Sequence, residues 1–134
     1  MLSKKQRIQD KVIFTGFITD VDKLMSITDI QVNASYGTEA TSLALLEGMS
    51  IGVPAVVSDF GGNPGVIKNG VNGFIVPKKN SKEIYIKQKE LLENADVYAK
   101  LCEGAKEMFK QTFTAKAMTE QTEQIYRNVT GGRK

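Results

Sequence analysis

The chain has 134 residues, 41% hydrophobic and 25% charged, which suits one domain able to bury a core and leaves no room for a second complete one. Its formal charge of +3 arises from 18 basic and 15 acidic residues that are interleaved along the chain, with no stripe of arginines and stacking aromatics, so nucleic acid is not an expected partner. There is no histidine, and Cys102 is the single cysteine, which excludes a disulfide framework, a Ser–His or Cys–His dyad and most zinc chemistry within these residues. No apolar run approaches the roughly twenty residues needed to span a bilayer, and the opening Met1-Leu2-Ser3-Lys4-Lys5-Gln6-Arg7 lacks the apolar centre of a signal peptide. A cytoplasmic protein is expected.

Four short apolar runs, at residues 11–15, 30–33, 55–58 and 73–77, alternate with helical patterns. Three of them are rich in Val and Ile and bounded by Gly, Pro, Asn or Asp, which predicts strands buried on both faces of a parallel sheet. The fold class is therefore α/β: a Rossmann-like parallel sheet of about four strands with flanking helices and a helical C-terminal segment. Between the first two runs, Val21, Leu24, Met25 and Ile27 fit a short helix that starts at Thr19-Asp20. After the third run, Phe60-Gly61-Gly62-Asn63-Pro64-Gly65 forms a loop at the carboxyl end of its strand, where open parallel sheets place ligands; an ordinary glycine turn is the plainer reading.

Past Pro77 the pattern is helical and polar. Ser81 is the expected cap of a helix through about Asn94, and Asp96 of another whose Tyr98, Leu101, Cys102, Ala105, Met108 and Phe109 recur at i, i+3, i+4 and i+7. Cys102 is thereby read as a core residue. A third helix from Thr114 carries Met118, Thr122, Ile125 and Tyr126, and these faces are expected to pack on the sheet or on a partner domain. Residues 131–134 are expected to be a disordered tail.

The segment with most chemical content is Ser35-Tyr36-Gly37-Thr38-Glu39-Ala40-Thr41-Ser42-Leu43-Ala44-Leu45-Leu46-Glu47. Gly37 and Thr38 suit a turn, Thr41 or Ser42 an N-cap, and Leu43, Leu45, Leu46 and Met49 an apolar helical face ending at Gly52-Val53-Pro54. Glu39 then precedes the helix and Glu47 lies about two turns inside it. The unpaired N–H groups and positive dipole of a helix start suit a phosphate, and a carboxylate on either side can accept hydrogen bonds from sugar hydroxyls. The plainer alternative is two solvated surface charges. Against it, the apolar run and the strand at 54–59 leave little open surface around Glu47, and Gly48 permits close backbone approach.

The ordered set of these pieces resembles the C-terminal, donor-binding domain of retaining GT-B glycosyltransferases of the GT4, or group 1, family. The resemblance rests on V-x-F-x-G at Val12 to Gly16 and on E-x7-E from Glu39 to Glu47. It continues through L-L-E-G-M-S-x-G-x-P, V-V-S-D-x-G-G from Val56 to Gly62, and N-G-x-N-G-F-I-V-P from Asn69 to Pro77. It implies that Glu47 binds the ribose hydroxyls of a UDP- or GDP-sugar and that the catalytic-site residue Glu39 contacts the transferred sugar near its reacting carbon. Backbone amides of Ala40, Thr41, Ser42 and Leu43 would hold the diphosphate, with Gly16, Phe17 and Ile18 beside the base. It implies no bound metal and no cofactor beyond the nucleotide sugar.

Two departures from the family pattern stand out. Gly65 occupies the place of the glutamate in G-G-x-x-E, and the ten residues before Lys11 cannot hold the two further strands and phosphate-gripping Arg and Lys that precede V-x-F-x-G in the family. The chain thus reads as an N-terminally truncated donor domain without the acceptor-binding N-terminal domain, and is expected to be inactive alone. The 11–15 strand is expected to move beside the strand at 30–33, or two chains to associate through the open sheet edge. In the complete enzyme, a peripheral position at the inner face of the membrane and a role in cell-envelope polysaccharide or glycolipid synthesis are implied. The alternatives are a binding module that completes a separately encoded N-terminal half, or a structural remnant without ligand.

Overall fold

Three of the four apolar runs find partners. In the computed structural model, which describes residues 2–37 and 42–131, β1 (Gln31–Asn33), β2 (Ala55–Ser58) and β3 (Gly73–Val76) form a parallel sheet in the order β1-β2-β3. Val32 lies opposite Val56, and Val56 opposite Phe74. The central β2 is buried along its whole length, so its sequence is uniformly small and apolar instead of alternating.

The helices are α1 (Leu2–Lys5), α2 (Val21–Ser26), α3 (Leu43–Ile51), α4 (Asn63–Val66), α5 (Ser81–Glu93), α6 (Ala95–Met108) and α7 (Ala115–Gly131). A 3₁₀ turn at Gln9–Lys11 follows α1, and a π-helical turn at Phe109–Phe113 joins α6 to α7. Because successive strand side chains point to opposite faces, Ala55 and Val57 pack one way and Val56 the other. The first face meets Leu45 and Met49 of α3, Val66, Ile67 and Ala105. The second meets Phe74, Val76, Leu91 of α5 and Leu101 of α6. Helix α6 therefore serves both cores.

The glycine-asparagine run before β3 has a structural function. Asn72 is fully buried; its amide donates to the Val66 carbonyl at 3.1 Å, and its oxygen accepts from the Lys68 N–H at 2.7 Å. Asn69 accepts from the Ile75 N–H at 2.9 Å. Together they hold the 68–73 turn onto the end of the sheet, satisfying backbone groups that burial would otherwise strand.

Several expectations are corrected. Residues 12–15 form no strand and do not pair with β1; Ile13 is 86% and Phe17 94% exposed. A strand exists only where a neighbour completes its hydrogen bonds, and none of the described residues offers this segment one. The caps of α5 and α6 are Asn80 and Asn94, which accept from the Glu83 and Val97 N–H groups, in place of Ser81 and Asp96. Asn is at least as good a cap as Ser, and Asp96 inside the first turn still faces the positive helix end. Helix α7 does begin after Thr114, whose hydroxyl accepts from the Ala117 N–H at 3.2 Å. Its Met118, Ile125 and Tyr126 are exposed and do not pack on the sheet, which leaves the other expectation, a partner domain, for this face. Gly131 is the last residue of that helix, and residues 132–134 of the expected tail lie outside the described residues. No helix among the described residues is long and apolar enough to cross a membrane.

Candidate functional site

Because α3 follows β1, its first turn lies at the carboxyl edge of the sheet, the edge at which the 35–37, 59–62 and 77–80 segments also emerge. Ser42 occupies the N-cap position with extended backbone, and its side chain makes no capping bond to the helix. The first-turn N–H groups are consequently not closed off by that hydroxyl. Gly52, in the left-handed conformation at φ 88°, ends the helix as the sequence indicates.

Glu47 is exposed, which corrects the expectation of little open surface around it. The reason is angular. Leu45, Gly48 and Met49 form the buried face of α3, and at about 100° per residue Glu47 stands roughly 200° from both Leu45 and Met49. It therefore points toward α2, where it shares a groove of about 210 Å³ with Val21, Asp22, Met25, Ser50 and Ile51. A larger open cleft, about 610 Å³, runs from the first turn of α3 at Ser42, Ala44 and Leu45 along residues 31–35 to Met25.

Gly48 permits a close approach, though the partner is a side chain. Gln31, nearly buried at the start of β1, lies against Gly48 and donates to the Ala44 carbonyl at 2.7 Å. The contact fixes α3 against the strand whose carboxyl end opens beside it.

Of the other anticipated residues, Leu43 is exposed at the helix start and lines neither cleft. Gly16 has φ 63°, Phe17 is exposed and Ile18 half-buried; none of the three lines the two clefts beside α3. Glu39, Ala40 and Thr41 lie outside the described residues. Gly65 has open space around it, so a longer side chain at the family's glutamate position would meet no obstruction. No group of three or more His, Cys, Asp or Glu among the described residues is placed to hold a metal ion.

Sequence reasoning passed over a polar network beneath this edge. The Ser58 hydroxyl donates to the Ser35 carbonyl at 2.5 Å, the Ser35 N–H donates to Asn33 Oδ1 at 3.0 Å, and the fully buried Asn63 donates to the Ser58 carbonyl at 3.1 Å. The segments that follow β1 and β2 are thereby tied together at the strand ends. The one sequence signal was a small polar residue closing β1 (Asn33) and β2 (Ser58), which is also what an ordinary turn shows.

An open parallel sheet with helices on both faces, and a cleft from the start of α3 along the edge strand β1, defines a Rossmann-like α/β domain. The chain belongs to the family of glycosyl transferases group 1, whose model matches residues 1–108. It is 30% identical over 128 residues to the N-acetyl-alpha-D-glucosaminyl L-malate synthase of Bacillus anthracis, covering 96% of this chain and 33% of that protein. It is 27% identical over 121 residues to spore coat protein SA of Bacillus subtilis, covering 88% of this chain and 32% of that one. The fold is that of Anabaena HepE, solved in complex with UDP: the TM-score is 0.86 at 24% identity, over 94% of this chain and 35% of that one. The chain spans about a third of the length of the curated relatives it matches.

Proposed function

We propose that this chain is the donor-binding part of a retaining glycosyltransferase that transfers a sugar from a UDP- or GDP-sugar to an acceptor. The observation that carries the reading is the start of α3 opening onto the cleft along residues 31–35, with Glu47 exposed in the neighbouring groove toward α2. Glu47 is assigned to the ribose hydroxyls, the backbone of residues 40–43 to the diphosphate, Glu39 to the transferred sugar, and Gly16, Phe17 and Ile18 to the base. As the glycosidic bond breaks, negative charge grows on the departing nucleoside diphosphate. N–H groups already aimed at it then stabilise the transition state more than the ground state.

The acceptor is assigned to cell-envelope polysaccharide or glycolipid synthesis. Because the chain spans a third of its relatives, acceptor binding is assigned to polypeptide beyond these residues, and the chain alone is expected to be inactive. The outer edge of β1, with Val32 exposed and residues 12–17 unpaired nearby in sequence, is the surface we assign to self-association of the isolated chain. Sedimentation showing a monomer across the micromolar range would remove that assignment.

The donor assignment is tested by titrating the protein with UDP, GDP and their sugars beside a Glu47→Ala variant. A hydrogen bond to a charged group contributes about 1.5–3 kcal/mol, so saturable binding should weaken roughly 10- to 100-fold in the variant. Equal affinity in both proteins, or no binding at millimolar nucleotide, overturns the reading in favour of a remnant or of a module that needs its other half.

A further inference from the structure

We infer that the outer edge of β1 takes the run Val12-Ile13-Phe14-Thr15 of a second copy as an added strand, the two copies exchanging these runs reciprocally. This exchange rests on the assignment of self-association to that edge and names the segment that fills it. Successive residues of a strand direct their N–H and C=O groups to opposite neighbours. The Gln31 N–H donates to the Pro54 carbonyl at 3.0 Å, on the β2 side, so the N–H and C=O of Val32 point outward, where no strand among the described residues lies. An edge of this kind is a template for a further strand.

The run matches what this edge offers on both sides. Val12, Ile13 and Phe14 are apolar in succession, the pattern of a strand covered on both faces, and the run carries no charge to oppose insertion. Beside β1, one face is walled by Met25, Ala44 and Leu45, which line the cleft along residues 31–35. On the other, Val32 is aligned with Val56 on the Leu91 and Leu101 side and is 44% exposed. The run is already extended where it begins, with Val12 at φ −123° and ψ 122°, and Ile13 and Phe14 lie in solvent. Helix α2 keeps a chain from filling its own edge. Its start, Val21 and Asp22, stands by Ser50 and Ile51 at the end of α3, whereas Met25 a turn later touches Gln31. The run therefore joins the end of α2 remote from β1. The run of a second copy has no such tether, and a two-fold pair covers both edges and both runs at once.

The test mixes two full-length Cys102→Ala chains under mild oxidation. One carries Val32→Cys; the other, distinguished by a size tag, carries one of Val12→Cys, Ile13→Cys, Phe14→Cys or Thr15→Cys. Paired strands lie about 4.8 Å apart, a separation that a disulfide spans. The disulfide-linked heterodimer should form roughly tenfold faster than with Lys89→Cys, an exposed site on α5, in place of the run cysteine. Yield should also alternate along the run, since every second side chain shares the face of Val32. Residues 13–15 and Val32 are exposed, so these changes leave the core untouched. Uniform yields along the run, yields no higher than for Lys89→Cys, or a disulfide formed only inside a chain carrying both cysteines each overturn the exchange. Sedimentation of the unaltered chain separates the two readings. A dimer without alternating cross-links leaves self-association standing and removes the exchanged run; a monomer removes both.

Discussion

The side-chain amide of Gln31 lies so close to Gly48 that a methyl group at that position would overlap it, and the same amide donates to the Ala44 carbonyl one turn earlier on α3. Gly48→Ala should gain about 1 kcal/mol of helix propensity, yet it must push Gln31 out of a bond whose loss leaves a buried amide unpaired, at about 1–3 kcal/mol. We expect Gly48→Ala to destabilise the protein, and Gln31→Ala combined with Gly48→Ala to cost less than the two single changes summed, by about 1 kcal/mol. Denaturant unfolding of the four proteins measures that coupling, and strict additivity would refute the contact.

Gly104 of α6 occupies a comparable position against backbone: a Cβ there would collide with the Val71 carbonyl in the turn before β3. A carbonyl in a turn pinned by Asn69 and Asn72 cannot rotate away as a side chain can. Gly104→Ala should therefore destabilise by about 1–3 kcal/mol despite the better helix former. A gain of about 1 kcal/mol, the value for propensity alone, is the outcome that excludes this contact.

Lys79 tests backbone strain separately from its charge. Lys79→Gly and Lys79→Ala both remove the contact with Tyr36, so their difference reports φ 59° alone. The glycine variant should be the more stable by about 1 kcal/mol. At Lys89, inside α5, the same pair should reverse, with alanine the more stable by about 1 kcal/mol. Equal ordering at the two positions would contradict the left-handed backbone.

Burial raises the Cys102 thiol above its ordinary value of 9.0, a Tyr98 hydrogen bond and the Lys106 charge opposing in part, and raises the Tyr98 phenol above 10.0, with the neighbouring Cys102 adding to it. Both groups hold their protons more tightly when folded. Their contribution is whole below about pH 9 and is lost as pH rises through the raised folded values. Unfolding midpoints should fall more steeply as pH rises above about 9 in the native chain than in Cys102→Ala. Identical slopes would show that the thiol is not desolvated.

Much of the architecture could be read locally. The apolar runs at 55–58 and 73–76 became β2 and β3, the 3.6-residue periodicity located α5, α6 and α7, and Gly52 marked the end of α3. Helix periodicity and strand burial are written in neighbouring residues, so a short window is enough. The ordered motifs from Val12 to Pro77 carried the family in the same way.

Other features depended on groups far apart in the chain. Residues 12–15 have the composition of a strand but none of the described residues offers them an edge, so they remain unpaired. Glu47 has the spacing of a buried ligand residue, yet α3 settles with Leu45 and Met49 inward and turns the carboxylate toward α2. The burial of Asn63, the contact of Gln31 with Gly48 and the seating of Lys79 over Tyr36 join residues from separate loops, with no shared sequence signal. Sequence by itself determined the elements, their order and the family, because each is encoded by local pattern. Only the tertiary structure decided which edges were paired and which charges faced solvent, because both depend on what the rest of the chain places beside them.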